Sequence, residues 1–418
     1  MSKYANMKTT MIHLAQRLRS AIKASFLHHD HAPQLPTKAP TAPLQVAGVE
    51  PKLQGEALTL ASQLRGKTLH LADLTKVFAA WPSATNKYAE ELQELVDSLL
   101  ERIVTNERKL KALKQADFAR LMSLWYPDAE WEELKVATAY SVWIFVWDDE
   151  IDAGDTDAAA SEDLAREYYR QSLIYIHRML GLDGEREGGE DDDDEATIEA
   201  PNQNMTLFAD VGRGVRKVTD IQQRQRFFDE LENFMLQVGV EHTHRMAGTI
   251  PTVDEYMNIR SGSVGCAPQI AITDYMLKIR LPEEVMECAA MKALWRETVY
   301  ICLILNDVYS VQKEIVQGSL LNVVPVMFHN LSDEYKKSMD AVSKDLDVAL
   351  QETMDRFETA AKQLGEIRPE DAELHGNILD FVLWCRYFIT GVLYWSLESR
   401  RYGMAKCINA DGTLSIPL

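Results

Sequence analysis

Ala137-Thr-Ala-Tyr-Ser-Val-Trp-Ile-Phe-Val-Trp147 runs without a break into Asp148-Asp149-Glu150-Ile151-Asp152. The first part is apolar on nearly every side of a helix, which predicts a buried helix. On that helix Asp148 and Asp152 stand one turn apart on the same face, and Asp149 and Asp152 are three residues apart. Carboxylates gathered at the mouth of an apolar helix repel one another unless positive charge lies between them. Taken alone the cluster has two readings. One is a charged helix end facing solvent. The other is a set of hard oxygen ligands for magnesium, which binds through one or two carboxylates together with substrate phosphate and water.

A second apolar helix, Val299 to Leu305, leads into Asn306-Asp307-Val308-Tyr309-Ser310-Val311-Gln312-Lys313-Glu314. Asn306, Ser310 and Glu314 are spaced by four and four, so they share a stripe that drifts only about 40° per step. An amide oxygen, a hydroxyl and a carboxylate can together hold one octahedral magnesium and leave positions for phosphate oxygens. Lys313 flanks the stripe and can meet phosphate as a point charge. Asp307 points about 100° away from Asn306 and is a weaker candidate ligand. The competing reading is an ordinary amphipathic helix whose polar face contains these residues.

The rest of the chain fits a helical protein. Of 418 residues, 46% are hydrophobic, ample for a sizeable core, and there are only 20 Gly and 14 Pro. Long stretches carry helical periodicity and strand-like alternation is hard to find. The formal net charge of -20 argues against a nucleic-acid partner. It also means that an anionic diphosphate could bind only through divalent metal and well-placed Arg or Lys. Each unscreened like-charge contact near 4 Å costs roughly 4 kcal/mol at an effective dielectric of about 20. The five cysteines, Cys266, Cys288, Cys302, Cys385 and Cys407, form no CxxC pair. That reads as a reduced intracellular, cytoplasmic protein without a zinc site. The longest apolar runs, Ser141–Trp147 and Tyr300–Leu305, are too short to span a bilayer.

Residues 1–26 carry Lys3, Lys8, Arg17, Arg19 and Lys23 with no acid before Asp30. This pattern suits either a transit peptide or a flexible basic arm. Residues 30–52 are proline-rich and read as a linker. Helical patterning begins near Lys87, with Tyr88, Leu92, Leu95, Leu99 and Ile103 on one stripe. Gly184 to Glu195 contains four consecutive aspartates behind glycines and no apolar period. Self-repulsion makes it a solvated loop rather than a metal site. No internal repeat is visible. The expected division is a partly disordered N-terminal extension (1–84), a helical domain (85–403) and a C-terminal tail (404–418).

The two motifs together resemble the metal-binding signatures of class I terpene synthases, particularly microbial sesquiterpene cyclases. Asp148 to Asp152 matches the DDxxD pattern, and Asn306 to Glu314 matches NDxxSxxxE, including the Lys before the Glu. Arg260, in Tyr256-Met-Asn-Ile-Arg260-Ser-Gly-Ser-Val-Gly265, stands where the family carries its diphosphate-sensing Arg. Trp395-Ser-Leu-Glu-Ser-Arg-Arg401-Tyr402 looks like the WSxxxxRY segment. The resemblance covers about residues 85 to 403. Chain-elongating prenyl transferases carry two aspartate-rich motifs, whereas here Asn306 and Ser310 replace the second, which favours cyclisation.

The resemblance implies an all-α class I terpene synthase bundle around a central apolar cavity. The activity it implies is a Mg²⁺-dependent lyase that ionises a prenyl diphosphate, farnesyl diphosphate first, and cyclises the carbocation. The alternatives are a shorter or longer prenyl diphosphate, or a non-catalytic helical protein on the same fold. Three Mg²⁺ are implied. Asp148 bridges two, with Asp149 and Asp152 as further metal candidates that hold Asp148 and Arg partners in place. Asn306, Ser310 and Glu314 hold the third. Arg260, Lys313, Arg401 and Tyr402 are implied to bind the diphosphate. Arg suits a clamp because its fork matches phosphate oxygens in pairs. Trp395 is implied to face the cation, whose charge an aromatic face stabilises. Trp143, Phe145 and Trp147 are open between cavity and core. A helix break is expected near Ser263 to Gly265. His242 and His244, two apart, fall on different helix faces and read as structural. A monomer or homodimer with no membrane span completes the expectation.

Overall fold

The computed structural model describes residues 53–152, 161–183, 199–332 and 337–418. The basic arm, the proline-rich linker and the acidic run at 184–195 lie outside the described residues. The first helix, α1 (Gly55–Leu64), leads to strand β1 (Thr68–Leu71) and a single turn, α2 (Leu74–Val77). Then follow α3 (Ala89–Ile103), α4 (Glu107–Lys114), α5 (Phe118–Trp125), α6 (Trp131–Asp152) and α7 (Glu162–Met179). The middle of the chain gives α8 (Thr206–Arg216), α9 (Ile221–Ala247), α10 (Val253–Ser263), α11 (Cys266–Ala271), α12 (Thr273–Leu277) and α13 (Glu283–Met286). The last third gives α14 (Ala289–Val316), α15 (Val323–Asn330), α16 (Met339–Leu364), α17 (Ala372–Glu398) and strand β2 (Leu414–Pro417). The fold is the all-α one expected from the sequence.

The two motif-bearing helices are central. In α6, Tyr140, Val142, Trp143, Val146 and Trp147 are all buried. In α14 the buried positions run almost without interruption from Val299 to Val311. A helix apolar all round needs neighbours all round. Helix α6 packs against α3 and α8, and α14 against α16 and α17. The α3 stripe includes Val96 and Leu100 beside Leu92, Leu99 and Ile103, while Tyr88 and Leu95 are only partly buried. Helix starts are written in short polar side chains. Asp220 and Thr252 form capping boxes with Gln223 and Glu255, and Asn106, Asp117 and Asp371 each accept a backbone N–H of the first turn. Each such cap is worth about 1 kcal/mol.

Two features escaped the sequence reading. Strands β1 and β2 pair antiparallel, Thr68 opposite Pro417 and Leu71 opposite Leu414, so the flank of the bundle and the tail clasp one another. The tail also reaches α14, where Gln312 Nε2 donates to the Pro417 carbonyl at 3.1 Å. In addition, α17 is long and apolar enough by composition to cross a membrane, yet 67% of its most apolar window is buried inside the molecule. Its apolar face packs on α5 and α14, as a core helix does.

Candidate active site

Helices α6, α9, α14 and α17, with α4 and the junction of α10 and α11, enclose a cavity of about 600 Å³. Asp148 and Asp149 line one wall, and Asn306, Ser310, Lys313 and Glu314 line the facing one. The walls are close enough that Lys313, on α14, helps to set the charge state of Asp149, on α6. Burial raises that carboxyl, but Arg401 and then Lys313 outweigh it and hold it below the usual carboxylate range. Asp152 ends α6 and its side chain lies outside the described residues.

Arg401 and Tyr402, adjacent in sequence, reach opposite walls. Arg401 Nη2 donates to Asp149 Oδ1 at 3.2 Å, and Asn306 Nδ2 donates to the Tyr402 hydroxyl at 3.1 Å. The Arg401 guanidinium also lies 5.3 Å from the centre of the Phe145 ring. Its Nε is buried without a hydrogen-bond partner among the described residues. Arg260 lies beside the second wall. Its Nη2 donates to Asn306 Oδ1 at 2.7 Å and its Nε to Asp307 Oδ1 at 3.0 Å.

Asp307 is fully buried and does not line the cavity. Beyond Arg260, it accepts from the Tyr256 hydroxyl and from the Val323 backbone N–H at 2.8 Å. It is therefore an anchor that aims Arg260 and ties α10, α14 and α15 together. Asn322 finishes the same job. Its Nδ2 donates to the Asp307 carbonyl at 2.7 Å and to Glu314 Oε2 at 2.9 Å. Neither role was read from the sequence. The signal for Asp307 was its 100° offset from the ligand stripe, which turns it from the cavity toward the neighbouring helix.

Below this polar mouth the wall is apolar. Trp395 lines it, held by its indole N–H, which donates to the carbonyls of Ala116 (2.8 Å) and Asp117 (3.0 Å). Phe145 lines it too, with ring centres 6.0 Å apart. Trp143 and Trp147 sit in the core instead, donating to Met205 Sδ and Ser172 Oγ. Helix periodicity separates them, since Phe145 is four residues before Asp149 and three before Asp148, on the cavity side. The expected helix break is present. Helix α10 stops at Ser263, Gly265 takes φ +72°, and α11 starts at Cys266. His242 is buried beside Arg245, and His244 contacts Thr249, in line with structural roles.

Residues 139–355, over half of the chain, match the family described as terpene synthase family 2, C-terminal metal binding. The chain belongs to this family. The sesquiterpene cyclase hepA of Aspergillus oryzae is 26% identical, over 85% of this chain and 95% of its own length. Germacrene A synthase of Nostoc punctiforme is 25% identical, over 78% of this chain and 94% of its own. Among solved structures, an α-eudesmol synthase superposes with a TM-score of 0.62 at 17% identity, over 76% of this chain and 97% of its own. The linalool/nerolidol synthase of Streptomyces clavuligerus gives 0.61 at 14% identity, over 75% and 98%.

The donor set of this terpene synthase suits a hard divalent cation. Asn306, Ser310 and Glu314 offer three kinds of oxygen on one face of α14. Burial, with Asp307 second, pushes the Glu314 carboxyl up, so its negative charge is under-compensated by the protein alone. Among the described residues no three acidic, His or Cys side chains gather closely enough to form a metal site by themselves. The acids stand on separate walls, which suits metal shared with a phosphorylated ligand lying between them.

Proposed function

We propose that the chain is a Mg²⁺-dependent sesquiterpene cyclase, a carbon–oxygen lyase that ionises farnesyl diphosphate, cyclises the carbocation and releases diphosphate. The observation that carries this is the pairing of Arg401 with Asp149 and of Tyr402 with Asn306, which brings both walls to one mouth above an apolar cavity. The names of the relatives in Aspergillus oryzae and Nostoc punctiforme support the C15 substrate. Residues 85–403 form the catalytic bundle in this reading.

Asp148, aided by Asp149 and Asp152, would hold two of three Mg²⁺, and Asn306, Ser310 and Glu314 the third. Bound there, the cations would neutralise charge on the leaving diphosphate. Arg260, Lys313, Arg401 and Tyr402 donate hydrogen bonds to its oxygens. Arg260 bonds the same Asn306 oxygen that would hold a cation, so a bound cation would compete with this hydrogen bond and would leave an Arg260 donor for the diphosphate. Trp395 and Phe145 line the cavity where the allyl cation would form, with Trp395 the side chain that would stabilise it, and the apolar wall keeps out water that would quench it. Five unpaired thiols support a reducing, cytoplasmic setting.

Incubation with farnesyl diphosphate and Mg²⁺, followed by gas chromatography of an organic extract, should give a cyclic product that EDTA abolishes. Folded protein that releases no cyclic product from geranyl, farnesyl or geranylgeranyl diphosphate would end this reading and leave a non-catalytic role.

A further inference from the structure

The far end of the cavity holds a polar side chain that the diphosphate chemistry does not use. The mouth is set by Asp148, Asn306 and Arg401. Trp395 lies just beneath it, 5.5 Å from the Tyr402 ring. Along α17 from Trp395, Phe388 lies about 10 Å deeper and Trp384 about 16 Å deeper, at 1.5 Å per residue. The Tyr126 ring stacks on Trp384, with centres 5.8 Å apart, and so marks the deep level. Gln269, on α11, lines the cavity there, and its Nε2 donates to the Tyr126 hydroxyl.

Gln269 is only 2% exposed. Its backbone is engaged by Thr273, whose hydroxyl donates to the Gln269 carbonyl at 3.0 Å. The side-chain oxygen has no hydrogen-bond partner among the described residues, nor is it sealed off among the buried unpartnered atoms. It is left to the cavity. Near it the wall is Trp125, Cys266, Cys302 and Phe388. A half-paired amide in such a wall lowers stability relative to an apolar side chain of similar length. The position is also held firmly. Tyr126 is the C-terminal cap of α5, and its carbonyl accepts from Asn86 Nδ2 at 2.6 Å.

We propose that the Gln269 amide, anchored by Tyr126, is a specificity-determining contact that steers the cyclising cation toward one product. This rests on the cyclase reading above. As positive charge migrates away from the diphosphate, the amide oxygen offers it the negative end of a fixed dipole in a water-poor site, where such contacts are strong. No bond to Gln269 forms or breaks. Cation isomers with charge near the deep end are favoured over those with charge elsewhere, and the exits from the cascade are weighted accordingly. Ionisation at the mouth does not depend on this contact.

The experiment compares wild type with Gln269→Met and Gln269→Leu, which differ in shape but both lack the dipole. Tyr126→Phe leaves Gln269 in place without its anchor and serves if the Gln269 variants fold poorly. Total diphosphate release and the chromatographic product profile are measured on the same samples. Release should stay within about threefold of wild type, while the share of the major product falls at least about threefold. Competing exits respond exponentially to small energy differences. Met and Leu should shift the profile in the same direction, and Tyr126→Phe should follow them part of the way. A wild-type profile in Gln269→Met, or opposite shifts in Met and Leu, would overturn the dipole assignment while cyclase activity stands. Wild type that makes no terpene from any prenyl diphosphate overturns the cyclase reading itself, and this inference with it.

Discussion

Asn306 and Asp307 are neighbours on one helix with opposite duties, and their variants should fail in opposite ways. Asn306→Ala removes a cavity-lining amide and its two hydrogen bonds at the mouth, to Arg260 and Tyr402, while the apolar core stays intact. Diphosphate release should drop by at least about 100-fold, with a loss of stability smaller than that of Asp307→Ala and the fold intact. Asp307→Ala strips three donors of their buried partner: Arg260, Tyr256 and the Val323 N–H. It should cost about 3–5 kcal/mol in a denaturant titration, the range for breaking a buried charge pair. Near-normal turnover in Asn306→Ala would mean that the third metal site is misassigned. In the clamp, Arg401→Ala should reduce kcat/KM more than Tyr402→Phe. The Arg removes a charge together with its pairing to Asp149, whereas the Phe removes one neutral hydrogen bond. The reverse order in steady-state assays would count against the assignment. The ligand stripe was legible because spacing alone places Asn306, Ser310 and Glu314 on one face. The duty of Asp307 was not, because it depends on Tyr256 and Val323, which are brought to it by other helices.

The junction between α10 and α11 shows how one residue shapes an element. Gly265 sits at φ +72°, in the left-handed region that a side chain enters at a cost of roughly 1–2 kcal/mol. A Cβ added there would meet only Ile144 Cδ1 and the Phe234 ring, at 3.6 Å or more, so space is not the obstacle. Gly265→Ala should therefore lower stability by about 1 kcal/mol in a thermal melt, through backbone strain alone. A loss several times larger would indicate a clash that the geometry does not contain. Two glycines flanking Ser263 and Val264 made this break readable in the sequence. Helices α6 and α14 were readable for a different reason. A run apolar on every side needs burial along its whole length, and polar ligands directly after it mark where the helix meets a wet rim. Strands β1 and β2 were not readable. Four residues each give too little alternation to register, and each is a strand only because the other is beside it. The share of α4 and α5 in the cavity was hidden likewise, since Lys109, Leu113 and Trp125 become wall residues only when the bundle closes.

Across the molecule, the net charge of -20 coexists with a mouth lined by Lys109, Arg245, Arg260, Lys313, Arg400 and Arg401. Surplus acid is therefore carried elsewhere, and some of it responds to pH. Burial, with Asp229 second, pushes the Glu230 carboxyl on α9 from its ordinary 4.5 up to about 7. A raised folded-state value means that the folded protein holds this proton more tightly than the unfolded chain does. The associated stability is present below about pH 4.5 and is lost as pH rises through 7. Glu230→Gln should accordingly be more stable than wild type by roughly 3 kcal/mol at pH 8, with the gap closing toward pH 5. Equal melting temperatures at pH 8 would show that Glu230 is not held in this state. The pairing of β1 with β2 bears on the order of assembly. These strands lie near opposite ends of the described chain, and closing so large a loop in an unfolded polypeptide would be entropically unfavourable. Once the helices have gathered, the same two segments are already neighbours and joining them costs little. The clasp is therefore expected to shut last, as a latch on a gathered body, and once shut it seals Leu69, Leu71, Leu414 and Ile416 into the core.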